Sequence, residues 1–432
     1  MDMPWYDTHC HMACNHAIGL YEGAFACDCM RGMELPPMDL WALLTSPYMK
    51  WMLRTVGEDV DGAARQAGHG SAVAWARAEP EKWWSANWRR YERIETQGVS
   101  KALARGIREL HHVSLRFTED TDAVAINEQI SYIYTHKGFY RWWREAFDRL
   151  HCVRAVKLVE MPYYDRPVAG EKNWQAEKGL VSTALRVDTF TCLGIPPEVR
   201  GFRLSPEKIG IHAESLDDYR AQIDRALERA LAGGMRALKN ASAYFNSLQL
   251  PPTDETAASR YVKERKPEDY RAFEAAVLRH LLEWCNARGL PYQMHAGVAR
   301  IPWCSCENLA DQMAAYPNVK FVPLHIYPYV REAGCLARVN ANVFLDPCWL
   351  SILAPETLRN ALREWIGLIP PEKLVYGVDA TSIEEWYGGA IVAKEVLGDV
   401  LAEKVAAGSL SSDEALREAK SILHDTAQRW YG

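Results

Sequence analysis

The chain is expected to fold as a (β/α)8 barrel carrying a large helical insertion after its first strand. Three observations predict this. Short runs recur that are apolar almost without interruption, as in strands buried on both faces of a parallel sheet. Amphipathic helical stretches ending in glycine separate the later runs. Ionisable residues stand at the ends of the runs, where a barrel gathers its functional face.

Eight runs qualify as strands, over 5–9, 153–159, 185–190, 235–239, 292–295, 319–325, 341–345 and 374–378. Residues 215–232 place Tyr219, Ile223, Leu227 and Ala230 on one helical face, with Ser215 as N-cap and acidic residues in the first turn. Gly233 and Gly234 end that helix directly before the next strand, and 269–288 repeats the scheme up to Gly289. More than a hundred residues rich in Trp and Arg separate the first two runs. A structureless loop of that length is improbable in a compact fold. Residues 12–150 are therefore read as a helical insertion capping the barrel mouth, within one domain spanning 1–432. A capping box from Ser411 to Glu414 opens terminal helices expected to pack on the barrel wall.

Composition narrows the function. With 48% hydrophobic and 25% charged residues, the chain is ordinary globular material. A formal net charge of −6 offers no basic excess for nucleic acid. No apolar stretch is long enough to span a bilayer, and the opening MDMPWYDTHCH has neither the basic nor the apolar region of a signal peptide. The 11 cysteines, odd in number and scattered, suit free thiols in a reducing compartment. A cytoplasmic protein acting on a small molecule is the expectation, without nucleic-acid or membrane partners.

The chemistry lies at the strand ends. In Asp7-Thr8-His9-Cys10-His11, residues i and i+2 of an extended chain point to one side, so His9 and His11 reach one ion together. Neutral imidazoles suit zinc, manganese, iron or nickel. An HxH pair alone is weak evidence, but His295, His325, Asp379 and Lys239 end four later runs. Burying six such groups without a common partner is costly, and a divalent cation supplies that partner.

The order HxH, Lys, His, His, Asp over successive strands resembles the amidohydrolase superfamily. The segments GGMRALKNASAYF, YPNVKFVPLHIYPYVREAGCLA and ILHDTAQRWYG are similar to the amidohydrolase-related branch that includes the amino-terminal part of FluG and nodulin-like proteins. The resemblance implies a metal site of His9, His11, His295 and Asp379, with His325 nearby. Zinc is the expected ion and manganese the alternative, with one or two ions per chain. In two-metal relatives the lysine equivalent to Lys239 is carboxylated and bridges both ions. The other reading keeps Lys239 uncarboxylated, facing a substrate carboxylate or a single metal. Family habit suggests a homo-oligomer.

Roles follow as expectations. Asp379 ligates the ion and takes a proton from water, and His325 steadies the developing oxyanion. Arg331 anchors a substrate carboxylate or forms a loop ion pair. Tyr327 and Arg186 join the substrate side, although a buried ion pair with Asp188 explains Arg186 equally well. Cys10 faces away from the histidines. Two CxC pairs, Cys27/Cys29 and Cys304/Cys306, lie in loops, where a further metal or no role are both open.

The activity implied is hydrolysis of a C–N bond, in an amide or γ-glutamyl amide of a small polar substrate. A metal-dependent non-oxidative decarboxylase of an aromatic or unsaturated acid is the alternative. Against it stand Lys239 and the sequence Ile326-Tyr327-Pro328, where such enzymes carry a Gly-rich turn. Lactone hydrolysis and uronate-type isomerisation use the same scaffold, and a non-catalytic metal-binding scaffold is the reading from another class.

Overall fold

The computed structural model describes residues 3–12, 38–165, 177–200 and 203–432. Six parallel strands pair strictly in sequence order: β1 (Trp5–Cys10), β2 (Cys152–Val159), β3 (Val181–Arg186), β4 (Met235–Asn240), β5 (Pro291–Ala296) and β6 (Lys320–His325). They form a half-barrel arc whose strands are buried almost throughout, as their continuous apolar runs require.

Two expected strands are not regular. Residues 341–345 and 374–378 contribute single parallel bridges, Phe321↔Val343, Leu324↔Asp346 and Leu345↔Leu374. Backbone bonds then lead back to β1: Thr8 N to Tyr376 O at 3.4 Å, Asp379 N to His9 O at 2.9 Å and His11 N to Ala380 O at 3.0 Å. Side chains take the place of a ladder partner here. Asp346 Oδ1 accepts from Gly377 N and Asp7 Oδ1 from Val378 N, both at 3.0 Å. Gly377 permits this approach, since a Cβ there would lie 2.6 Å from the His9 nitrogen. The third strand also starts and ends earlier than expected. Beyond Arg186 the chain turns into a 3-10 segment, Asp188–Thr191, as Asp188 folds back on Arg186.

The helices match their sequence signals closely. Ser215 caps Leu216–Ala232 by accepting from Asp218 N, and Gly289 closes Tyr270–Arg288 in the left-handed region at φ 62°. The Ser411–Glu414 capping box is formed in both directions. The tail does more than pack on a wall, however. Ala427 and Tyr431 join Tyr6, Val156, Ala184, Ala237 and Val322 in a second core that fills the sheet's concave side. The Tyr431 carbonyl accepts from Tyr6 Oη (2.8 Å) and Ser182 Oγ (2.6 Å).

Between β1 and β2, eight helices run from Leu40 to Arg149 among the described residues. Most of their tryptophans pack internally, as Trp41 does on Trp83 with centroids 5.4 Å apart. Helix Gly98–His111 crosses Ile383–Ala406 at backbone contact. A Cβ on Gly388 would fall 1.9 Å from the Ala102 carbonyl, and one on Gly106 1.8 Å from that of Glu384. Gly388→Ala must push two buried helices apart, and is expected to destabilise the protein by about 3 kcal/mol. Gly70→Ala, with open space around it, should be near neutral. Thermal or denaturant unfolding of both variants checks this, and equal midpoints would refute the backbone contact.

Candidate metal centre

The ends of β1 and β6 and the 374–379 segment converge on one buried cluster. His11 Nε2 lies 3.1 Å and His9 Nε2 3.7 Å from Asp379 Oδ1, while His325 Nδ1 lies 3.5 Å from Asp379 Oδ2. The donor atoms of His9, His11 and Asp379 all fall within 4.8 Å of one another. A tetrahedral zinc with bonds of about 2.0–2.2 Å to nitrogen and oxygen holds its donors about 3.3–3.6 Å apart. The observed separations bracket that range.

His9 is oriented from behind. Gln293, two residues before His295 on β5, accepts from His9 Nδ1 through Oε1 at 3.2 Å. Its Nε2 donates to Thr8 O (3.0 Å) and Tyr431 Oη (3.2 Å), which fixes the amide's orientation. His9 therefore presents Nε2 to the cluster as a lone pair. That atom is buried and has no hydrogen-bond partner among the described residues, and the same holds for His295 Nε2. An orphaned buried nitrogen is costly unless something binds it. His9 Nε2, with His11 and the Asp379 carboxylate beside it, makes a fitting donor set for a divalent cation.

Electrostatics agree. Burial holds the His9, His295 and His325 imidazoles well below their ordinary 6.5, and the Lys239 charge adds to this at each. They are neutral, as ligands must be. Four residues around the site hold a left-handed backbone: His325 (φ 68°), Ile326 (φ 68°), Trp349 (φ 71°) and Asp379 (φ 60°). Such conformations cost about 1–3 kcal/mol each and collect at functional sites. For β-branched Ile326 the strain is plain.

The structure does not bring every expected residue together. The His295 ring packs at a tilt against His325 (centroids 4.2 Å apart) and Tyr244 (4.1 Å), but its nitrogens stand outside the His9/His11/Asp379 group. Lys239 is buried on β4. Arg186 is committed to a bidentate pair with Asp188, both bonds 2.9 Å, with Glu160 at 3.7 Å, so of its two readings the buried ion pair is the one seen. For Arg331 too the loop ion pair is the reading seen. Its side chain is 84% exposed and faces Glu364 at 3.7 Å, because the chain leaves β6 through the left-handed turn and re-enters helix at Val330. Tyr327 on that turn is likewise exposed. Cys304 and Cys306 are buried outside both groups of metal-competent side chains found among the described residues, and Cys27 and Cys29 lie outside those residues.

Sequence reasoning missed three residues. Cys348 Sγ sits 3.3 Å from His325 Nδ1. Its position two residues beyond Asp346, just past the seventh run, was the available signal. Tyr48 donates to Asp379 Oδ1 at 3.3 Å, and Trp349 packs between Tyr48, Trp51 and His325 at 4.9–5.3 Å. Tyr48 and Trp51 come from helix Pro47–Thr55; nothing in the sequence ties them to strands hundreds of residues away.

Parallel strands with a buried His/Asp cluster at their C-terminal ends are those of an α/β protein with a candidate metal site. A family model described as Amidohydrolase matches residues 197–432, and the chain belongs to that family. Protein fluG of Emericella nidulans is 28% identical over 221 residues, which cover 45% of this chain and 25% of fluG. The match thus spans only a quarter of that curated relative. Among solved structures, the uronate isomerase of Thermotoga maritima superposes with a TM-score of 0.77 at 14% identity, covering 100% of this chain and 95% of that one. The glucuronate isomerase of Caulobacter crescentus gives 0.75 at 16%, covering 100% and 91%. At such identities the likeness is one of fold. No helix among the described residues is long and apolar enough to cross a membrane.

Burial lowers the Lys239 amine from 10.5 to about 8, with Asp379 opposing the shift. Between those values the unfolded chain binds a proton that the folded one does not, so stability rises with pH across that window. At about 1.4 kcal/mol per unit, metal-free wild type should gain about 3 kcal/mol relative to Lys239→Met between pH 8 and 10.5. Denaturant titrations over pH measure this, and a flat difference would show that Lys239 is not desolvated.

Proposed function

We propose that the chain is a metal-dependent hydrolase that cleaves a C–N bond, of amide or γ-glutamyl amide type, in a small polar substrate. The observation that carries the reading is the Asp379 carboxylate. Its Oδ1 faces His11 and Tyr48 while its Oδ2 faces His325. His9, His11 and Asp379 would hold the ion, with His295 as a further donor beside them. When bound, such an ion supplies Lewis acidity and an activated water.

The remaining chemistry belongs to the chain. Asp379 receives a proton on one oxygen, and His325, 3.5 Å from the other, lies where a leaving group can be met or an oxyanion steadied. Tyr48 orients Asp379 through its hydroxyl. Lys239, with a pKa of about 8, is poised either to be carboxylated or to face a substrate carboxylate. The reading rests on a full (β/α)8 barrel, with 341–345 and 374–378 as its seventh and eighth staves. The helices of 40–149 then cap its mouth, and Tyr48, Trp51 and Trp349 form an aromatic wall that excludes water. The choice of a C–N bond follows the family's description.

Uronate-type isomerisation is the second reading, favoured by one observation. The likeness in fold to uronate and glucuronate isomerases covers the whole chain.

Metal-stripped protein, reloaded with zinc or manganese, should hydrolyse members of an amide and γ-glutamyl amide panel. Asp379→Asn should lower turnover by at least about 100-fold, and Tyr48→Phe by about tenfold, the worth of one hydrogen bond to a charged group. Both variants should keep the wild-type circular dichroism. Aldose–ketose conversion of uronates with inert amides would replace hydrolysis by the second reading. Turnover that survives complete metal removal would overturn both.

A further inference from the structure

We propose a second cation position beside the first, built by His325 Nδ1, Cys348 Sγ and Asp379 Oδ2 and selective for a borderline-soft divalent ion such as zinc. It rests on the metal site proposed above, because Asp379 is shared. Of the donors that the family resemblance implies for a second metal it uses His325 alone, since neither Lys239 nor His295 belongs to this group.

The geometry is that of donors around a common centre. Cys348 Sγ lies 3.3 Å and Asp379 Oδ2 3.5 Å from His325 Nδ1, and the three ligand atoms fall within 4.8 Å of one another. A tetrahedral zinc with bonds of about 2.0–2.2 Å to N or O and about 2.3 Å to sulfur sets donor spacings of about 3.3–3.6 Å. His325 Nδ1 also lies 3.4 Å from the Cys348 carbonyl. The nitrogen thus faces the Cys348 thiol, the Cys348 carbonyl and the Asp379 carboxylate together. All three side chains are buried, with 0–3% of their surface exposed.

The backbone holds these donors in place independently of any ion. Asp346 accepts from Cys348 N through its side chain (3.0 Å) and from His325 N through its carbonyl (3.1 Å). One residue thus sets both the thiol and the imidazole. Asp379 turns Oδ1 to the His9/His11 position and Oδ2 to this one, the arrangement of a carboxylate bridging two cations. A sulfur donor distinguishes the two positions. Thiolate favours zinc, whereas magnesium and manganese prefer oxygen and nitrogen donors.

The test is a cobalt(II) titration of metal-stripped full-length protein, wild type against Cys348→Ser, followed by absorbance and bound-metal analysis. Wild type should bind two equivalents, with a thiolate-to-cobalt charge-transfer band growing with one of them. Cys348→Ser should lose that band and bind its second equivalent at least tenfold more weakly, yet keep the first. Retention of the first equivalent shows that the variant is folded at the site. One equivalent and no band in wild type would overturn the second position while leaving the first intact. A band that persists in Cys348→Ser would assign the sulfur elsewhere and overturn it equally. No cobalt bound by wild type would overturn both positions together.

Discussion

The arrangement of this site depends on one buried carboxylate, Asp7. Its Oδ1 accepts from the backbone nitrogens of His9 (3.1 Å) and Val378 (3.0 Å), and its Oδ2 from Trp386 Nε1 (2.7 Å). Those three donors belong to the strand bearing His9 and His11, the segment bearing Asp379 and the long buried helix behind them. The 374–378 segment has too few ladder bonds to hold its own register, so the carboxylate supplies what the sheet does not. Burial pushes the Asp7 carboxyl up to about 8 against these hydrogen bonds. A group so desolvated is tolerated only because its acceptors are filled. Asp346 repeats the device, linking Thr8, Gly377 and Cys348.

From that seam the structure builds outward in two directions. Inward, the C-terminal Tyr431 reaches Tyr6, Ser182 and Gln293, and Gln293 in turn sets the ring of His9. The chain's last helix thereby supports a candidate ligand near its first residues. Outward, helix Ile383–Ala406 meets Gly98–His111 at backbone distance. That contact fixes the helices after β1 relative to the seam and lets Tyr48 meet Asp379. Close-packed elements shift as units, so residues remote from the His9/His11/Asp379 cluster matter to its geometry.

Within the site, placement separates residues that look alike in sequence. Arg186 at the end of β3 and Arg331 beyond β6 are both cations; one is spent on Asp188 in the interior and the other faces solvent. His295 and His325 both end strands with a histidine; only His325 reaches Asp379. Backbone direction at the strand end makes the difference. The left-handed turn at His325 and Ile326 swings the ring toward Asp379, while carrying Tyr327 and Arg331 away.

By itself the sequence determined the parallel strands, the glycine-ended helices between them, the capped termini and the placement of His9, His11, Lys239, His295, His325 and Asp379 at or beside the ends of apolar runs. Those features are local: apolar periodicity, cap residues and strand-end position express themselves over a few residues, whatever lies elsewhere. The tertiary structure decided which tips converge. It also decided that two runs would serve as bridged segments stabilised by carboxylates, that the tail would fill the sheet's concave side, and that Cys348, Tyr48 and Trp349 would enter the site. These outcomes depend on contacts between residues hundreds of positions apart. No periodicity encodes them; they follow from which buried polar groups find partners once the chain has closed on itself.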